Sequence, residues 1–184
     1  NPATSIRFNK STSVNEYLAV PSSADFSMEN NASWTIDWWM YFLGQSSPWY
    51  ERVIEHTGGN WTVTFAGSDT NHMSMRTSPS YTESTLWAAA TENVWQHWAI
   101  VHDYAAGTWK WYLNGSVVDD EVTGDMDWTT SGTHGLRICQ YGASGGYTTN
   151  SWMHDIRISK GVARTADSGD PLYLDGGSTF PVPT

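Results

Sequence analysis

Residues 95–118, WQHWAIVHDYAAGTWKWYLNGSVV, decide the fold of this chain. The first eight are rich in aromatic and β-branched side chains, and residues 103–107 carry turn chemistry. From residue 108 onward Trp109, Trp111 and Leu113 alternate with Lys110 and Tyr112, the two-residue period of a strand. Asn114-Gly115 supplies two residues that accept positive φ, so residues 116–119 fold back as the next strand. The stretch therefore predicts a β-meander.

The same period appears upstream and downstream. Over residues 34–42, Trp34, Ile36, Trp38, Met40 and Phe42 share one face and are expected in the core. Thr35, Asp37, Trp39 and Tyr41 share the other, whose two aromatics and carboxylate suit either a covered or a binding face. Residues 52–56, 61–66 and 72–76 read as three strands separated by Gly- and Asn-rich turns. Residues 6–8 read as a short strand, 16–20 as another stopped by Pro21, 136–140 as a third and 152–159 as the last. A single helical turn is expected near residues 24–28, and residues 86–91 fit a strand or a helical turn equally. Many short strands without helical periods predict an all-β sandwich of two antiparallel sheets.

Three segments carry a family resemblance: Trp95 with the apolar run 98–101 and Trp111-Tyr112-Leu113-Asn114-Gly115; residues 6–21 (IRFNKSTSVNEYLAVP) with 34–42 (WTIDWWMYF); and residues 152–164 (WMHDIRISKGVAR). In this order they resemble laminin-G-like domains of the concanavalin A-like lectin and glucanase superfamily. The last segment resembles a variant associated with bacteriophage virion and tail proteins. The resemblance implies a concanavalin A-like jelly roll over residues 1–165, with 166–184 expected as an extended tail or linker ending in Phe180-Pro-Val-Pro-Thr.

Composition narrows the function. A formal charge of −10 repels a phosphate backbone, so nucleic acid is not an expected partner. No apolar run approaches the roughly 20 residues of a membrane span, and membrane insertion is not expected. Cys139 is the one cysteine, which excludes an intramolecular disulfide and suits a small core residue.

Glucanases of the superfamily carry E-x-D-x-x-E on one strand face, but no Glu of this chain has an Asp two residues later. Hydrolysis by that route is excluded. Asp37 could meet Asp103 or Asp155 from separate strands, yet an enzyme is not expected. The six histidines lack zinc-site spacing, and His97 and His102, five apart on one strand, face opposite sides. The resemblance implies calcium in a rim loop, for which Asp119, Asp120, Asp125 and Asp127 are the candidate oxygen ligands; a solvated acidic loop is the simpler alternative.

The aromatics carry the sharpest functional signal. Trp34, Trp38, Trp95, Trp109 and Trp111 lie in strands and are expected in the core. Trp49, Tyr50, Trp128, Tyr141 and Tyr147 lie in loops rich in Gly, Ser, Thr and Asn, where rings can stack on a sugar while neighbours bond its hydroxyls. These five are the candidate carbohydrate-binding residues. The expected role is a non-catalytic, lectin-like module at an extracellular or virion surface that binds a glycan or cell-surface polysaccharide. The alternative is a structural or decoration module contacting other virion subunits.

Overall fold

The computed structural model describes residues 5–9, 16–27, 31–44, 51–59, 61–65, 71–77, 82–119, 133–140 and 148–164. In chain order these form β1 (Ile6–Phe8), β2 (Leu18–Ser23), one 3₁₀ turn (Ala24–Phe26), β3 (Trp34–Phe42), β4 (Arg52–His56), β5 (Trp61–Phe65) and β6 (His72–Thr77). There follow β7 (Thr82–Ala89), β8 (Trp95–Asp103), β9 (Thr108–Leu113), β10 (Ser116–Asp119), β11 (His134–Ile138) and β12 (Ser151–Lys160). The strands make two six-stranded sheets, ordered β1-β12-β3-β8-β9-β10 and β2-β11-β4-β5-β6-β7. All pairs between these strands are antiparallel. This is the two-sheet sandwich that the alternation predicts.

The core lies between the sheets. Trp34, Ile36, Trp38, Met40 and Phe42 all point inward from β3, and their partners across the ladder, His102, Ile100, Trp98 and Gln96, point inward from β8. The other sheet contributes Ile54, Trp61, Val63, Phe65, Met73, Met75, Leu136 and Ile138 to the same cluster. Phe42 stacks on Phe65 across the gap, with centroids 4.5 Å apart. Each fully buried large side chain contributes about 1.5–3 kcal/mol, so a core this rich in tryptophan has no need of staples.

The meander at residues 95–118 forms as read. Asn114 and Gly115 take φ of 52° and 81°, and β10 folds back on β9. Tyr112, on the opposite face from Trp109 and Trp111, is nonetheless fully buried, packed in a small outer cluster with Ala99 and Val101.

Three details depart from expectation. Pro21 does not stop its strand: β2 runs through it to Ser23, because β2 is an edge strand and the missing N–H is needed by no neighbour. Gly135 makes this possible, since the register slips between His134 and Leu136 where the chains approach most closely. Residues 86–91, open from sequence, belong largely to β7, paired along β6. Cys139 sits just beyond β11, not on it, at φ 63°; it is fully buried in the core and burial pushes its thiol pKa up.

Candidate functional site

The site of interest is the outer face of the first sheet over its four strands β1-β12-β3-β8. Antiparallel pairing places directly opposed residues on the same face. Arg7 of β1 opposes Trp152 of β12, Trp152 opposes Tyr41 of β3, and Tyr41 opposes Trp95 of β8. Four neighbouring strands thus line up one cation and three rings in a row across the sheet. All four side chains are half-buried.

The row is tightly held. The Arg7 guanidinium lies 5.7 Å from the centre of the Trp152 ring. It donates through Nη1 to the carbonyls of Phe8 and of Ser151, the latter at 3.2 Å, and through Nη2 to Asn150 Oδ1 at 2.7 Å. Burial lowers the Arg7 pKa, opposed by the negative charge of Glu16. Tyr41 and Trp95 meet with centroids 5.6 Å apart and planes at 60°.

One step down the strands, His154, Trp39 and His97 form a second row. Trp39 and His97 have ring centroids 5.1 Å apart, and His154 Nδ1 lies 3.1 Å from Asp155 Oδ2. Below it Asp37 opposes Arg157, which donates from Nε to Oδ2 at 2.9 Å and from Nη2 to Oδ1 at 3.1 Å. His97 Nε2 approaches Asp37 Oδ1 at 3.5 Å. Burial alone would raise the Asp37 pKa, but hydrogen bonds from His97 and Arg157, with the charge of Arg157, hold it below the usual carboxylate range.

A backbone irregularity aims Arg157. The register of β12 shifts between His154 and Arg157, with Asp155 at φ 46°, a conformation that Asp tolerates better than most residues. Without the extra residue Arg157 would face the core. With it, Ile156 and Ile158 pack inward while Arg157 turns outward onto Asp37.

Trp49, Tyr50, Trp128, Tyr141 and Tyr147 lie outside the described residues, as do Asp120, Asp125 and Asp127; Asp119 is described as the last residue of β10. The described neighbours of these segments are informative. Leu43 donates to the carbonyl of Asn150 at 3.0 Å, and Arg52 bridges Thr148. The residues flanking 45–50 and 141–147 therefore meet at one end of the sandwich, the end bearing the Arg7 row. Asp119 and His134, which flank the segment of Trp128, lie farther down their strands, opposite Trp111 and Ser23.

The suggested carboxylate pairings do not form. Asp37 is engaged by Arg157 and His97, Asp103 accepts the N–H groups of Ala105 and Ala106, and Asp155 pairs with His154. Among the described residues no group of three or more His, Cys, Asp or Glu is placed to hold a metal. Nor is any described helix long and apolar enough to cross a membrane.

Sequence reasoning missed Arg7 and Trp152, and it placed Trp95 in the core, whereas Trp95 faces outward beside Tyr41. The signal for Trp95 was present: it is three residues from Trp98 on one strand, an odd number, so the two cannot share a face. For Arg7 and Trp152 the signal is the pairing register, which a single sequence does not display.

The two antiparallel sheets in this order form a concanavalin A-like β-sandwich. The chain belongs to the laminin-G-like family of the concanavalin A-like lectin/glucanases superfamily, which matches residues 11–168. No curated protein matched the sequence. Among solved structures, a putative carbohydrate binding protein from Bacteroides ovatus superposes with a TM-score of 0.65 at 17% identity, covering 91% of this chain and 46% of that one. The binding domain of botulinum neurotoxin serotype G gives 0.65 at 14%, covering 91% and 44%. Domain 4 of AbnA, an extracellular arabinanase from Geobacillus stearothermophilus solved in complex with arabinotriose, gives 0.60 at 16%, covering 82% and 69%. The chain spans less than half the length of the first two. At these identities the likeness is one of fold.

Proposed function

We propose that this chain is a non-catalytic, lectin-like carbohydrate-binding module of an extracellular surface protein, such as a phage virion protein, and that it aids attachment to glycans. The observation that carries this reading is the row Arg7, Trp152, Tyr41 and Trp95: half-buried rings beside a hydrogen-bonding cation on an outer sheet face. Such a surface stacks on the apolar side of a sugar and bonds its polar edge. Trp49, Tyr50, Tyr141 and Tyr147 are proposed to extend the same site, since the residues flanking their segments meet at its upper end. Trp128 is proposed as a separate contact. The structures that share the fold include one described as a putative carbohydrate binding protein and one solved with arabinotriose, which supports the reading without assigning a sugar.

A glycan array probed with the 184-residue chain tests it. Binding that free sugar competes away is expected. Silence across the array, with Trp152→Ala instead weakening incorporation into a particle, would replace this reading by that of a structural module contacting other virion subunits.

Calcium at Asp119, Asp120, Asp125 and Asp127 is a further part of the proposal, resting on their hard oxygen ligands. An ion bound only by the folded state raises the melting temperature by mass action. Equal melting temperatures in millimolar calcium and in chelator would remove calcium from the proposal.

A further inference from the structure

The polarity of the row deepens this reading, and the inference rests on it. We infer that Arg7, Trp152, Tyr41 and Trp95 form a subsite for a linear acidic oligosaccharide that lies across the strands, with a sugar carboxylate on Arg7 and sugar rings on the aromatics.

Direction comes from the sheet. Neighbouring strands lie about 4.8 Å apart, so a row over four strands spans about 14 Å, the length of a short run of linked pyranose rings. The ring planes of Tyr41 and Trp95 differ by 60°, so a ribbon of coplanar sugars does not fit flat on both. An occupant whose successive rings turn relative to one another does.

The acidic end comes from Arg7. Its donors Nη1 and Nη2 are fixed by the carbonyls of Phe8 and Ser151 and by Asn150 Oδ1, all neutral acceptors. Among the described residues its Nε–H has no hydrogen-bond partner and its charge has no bonded carboxylate; Glu16, which acts on it electrostatically, instead accepts the N–H of Asn9 at 3.0 Å. Nε–H and Nη2 are the side of the guanidinium that matches a carboxylate, and Nη2 carries two hydrogens against one acceptor among the described residues, Asn150 Oδ1. Arg157, also outward on this face, already has that fork on Asp37 through Nε and Nη2, and Arg164 donates its Nε–H to Ser159 Oγ at 3.0 Å. The open Nε–H distinguishes Arg7 from both and marks it as the one poised for an external anion.

Calorimetric titration of the 184-residue chain with a tetrasaccharide of linked uronic acids, and with its carboxyl-reduced neutral form, tests the inference. The acidic form is expected to bind about tenfold more tightly. Arg7→Met should abolish that difference, and Arg7→Lys, which keeps the charge but not the planar fork, should retain a reduced preference. Trp152→Ala should weaken both ligands by about tenfold, with the melting curve confirming a folded protein and Trp152→Phe recovering part of the loss. Equal affinity for the two forms, or an unchanged preference in Arg7→Met, overturns the assignment of Arg7. Full affinity in Trp152→Ala and Trp95→Ala, with loss in Tyr147→Ala, moves the site off the sheet face. If the array yields only neutral ligands, glycan binding stands and this inference fails; if it yields none, the functional reading itself fails.

Discussion

His97 and Asn114 exchange two hydrogen bonds: the backbone N–H of His97 donates to Asn114 Oδ1 at 2.9 Å, and the N–H of Asn114 donates to the carbonyl of His97 at 2.8 Å. The β9–β10 turn is thereby tied to the strand that carries His97 toward Asp37. Asn114 also holds φ at 52°, which Ala adopts poorly. Asn114→Ala is expected to cost about 2 kcal/mol, the sum of the lost bond and the strained backbone, and Asn114→Gly only about 1 kcal/mol. Urea denaturation ranks the three proteins; identical midpoints for Ala and Gly would show that backbone conformation is not what selects Asn.

Asp37 gathers Arg157 and His97 on a side chain that is only 5% exposed. Its depressed pKa means that its contribution to stability is complete above the ordinary carboxylate pKa and is lost as pH falls through the folded value. Asp37→Asn should cost about 2 kcal/mol at neutral pH, less than a fully buried pair because Arg157 is 38% exposed. The cost should vanish in strong acid. A stability difference that persists unchanged at pH 2 would assign the effect to packing rather than charge.

His56 is fully buried, stacked on Trp61 at 5.7 Å and edge-on to His134 at 5.0 Å, and neither of its ring nitrogens has a hydrogen-bond partner among the described residues. Burial, and next the charge of His134, push its pKa from 6.5 to about 4. The unfolded chain therefore binds the proton first, and stability is present above pH 6.5 and falls as pH drops toward 4. The loss is on the order of 3 kcal/mol. His102, whose pKa burial also lowers despite its bond to the Ala32 carbonyl, adds in the same direction. Chemical denaturation of His56→Phe from pH 7 to 4 should show a clearly shallower decline than wild type. A slope unchanged by the substitution would place the proton elsewhere.

Gly135 leaves no room for a side chain: a Cβ there would lie 2.3 Å from the carbonyl oxygen of Val20. Its N–H donates to Thr57 Oγ1 and its carbonyl accepts the N–H of Thr57, each at 2.9 Å, so it cannot retreat from β2 without loosening β4. Gly135→Ala is expected to cost about 1–3 kcal/mol. Increased amide exchange confined to β2 would be the signature of the edge strand moving away; exchange unchanged there would contradict the clash.

The legible parts of this fold were those that local patterns write twice. Residues 34–42 alternate over nine positions, and the Asn114-Gly115 turn both fits its φ angles and separates two alternating runs. Pro21 misled because its effect depends on whether a strand lies at an edge, which is a property of the sheet. One member of the outer-face row was visible, since Tyr41 stood out, beside Trp39 of the next row, as an aromatic on the face opposite the core. Its other members include Arg7 and Trp152, which lie 145 positions apart in sequence, and only the register joins them. The candidate loop aromatics lie between the alternating runs, amid Gly, Ser, Thr and Asn, and the described structure does not reach them.

In the order β1-β12-β3, the last described strand lies inside its sheet, hydrogen-bonded on both sides. A nascent chain that has reached residue 150 therefore has β3 paired with β8 along one side and an open edge of nine residues along the other. That edge is long, apolar on one face, and a template for the same edge of a second copy. Folding must wait for a contact across more than 100 residues, the slow kind of closure. A chain truncated before Ser151 is expected to aggregate rather than to persist as a smaller sandwich, so the module is acquired by synthesis of its final strand, all at once and late.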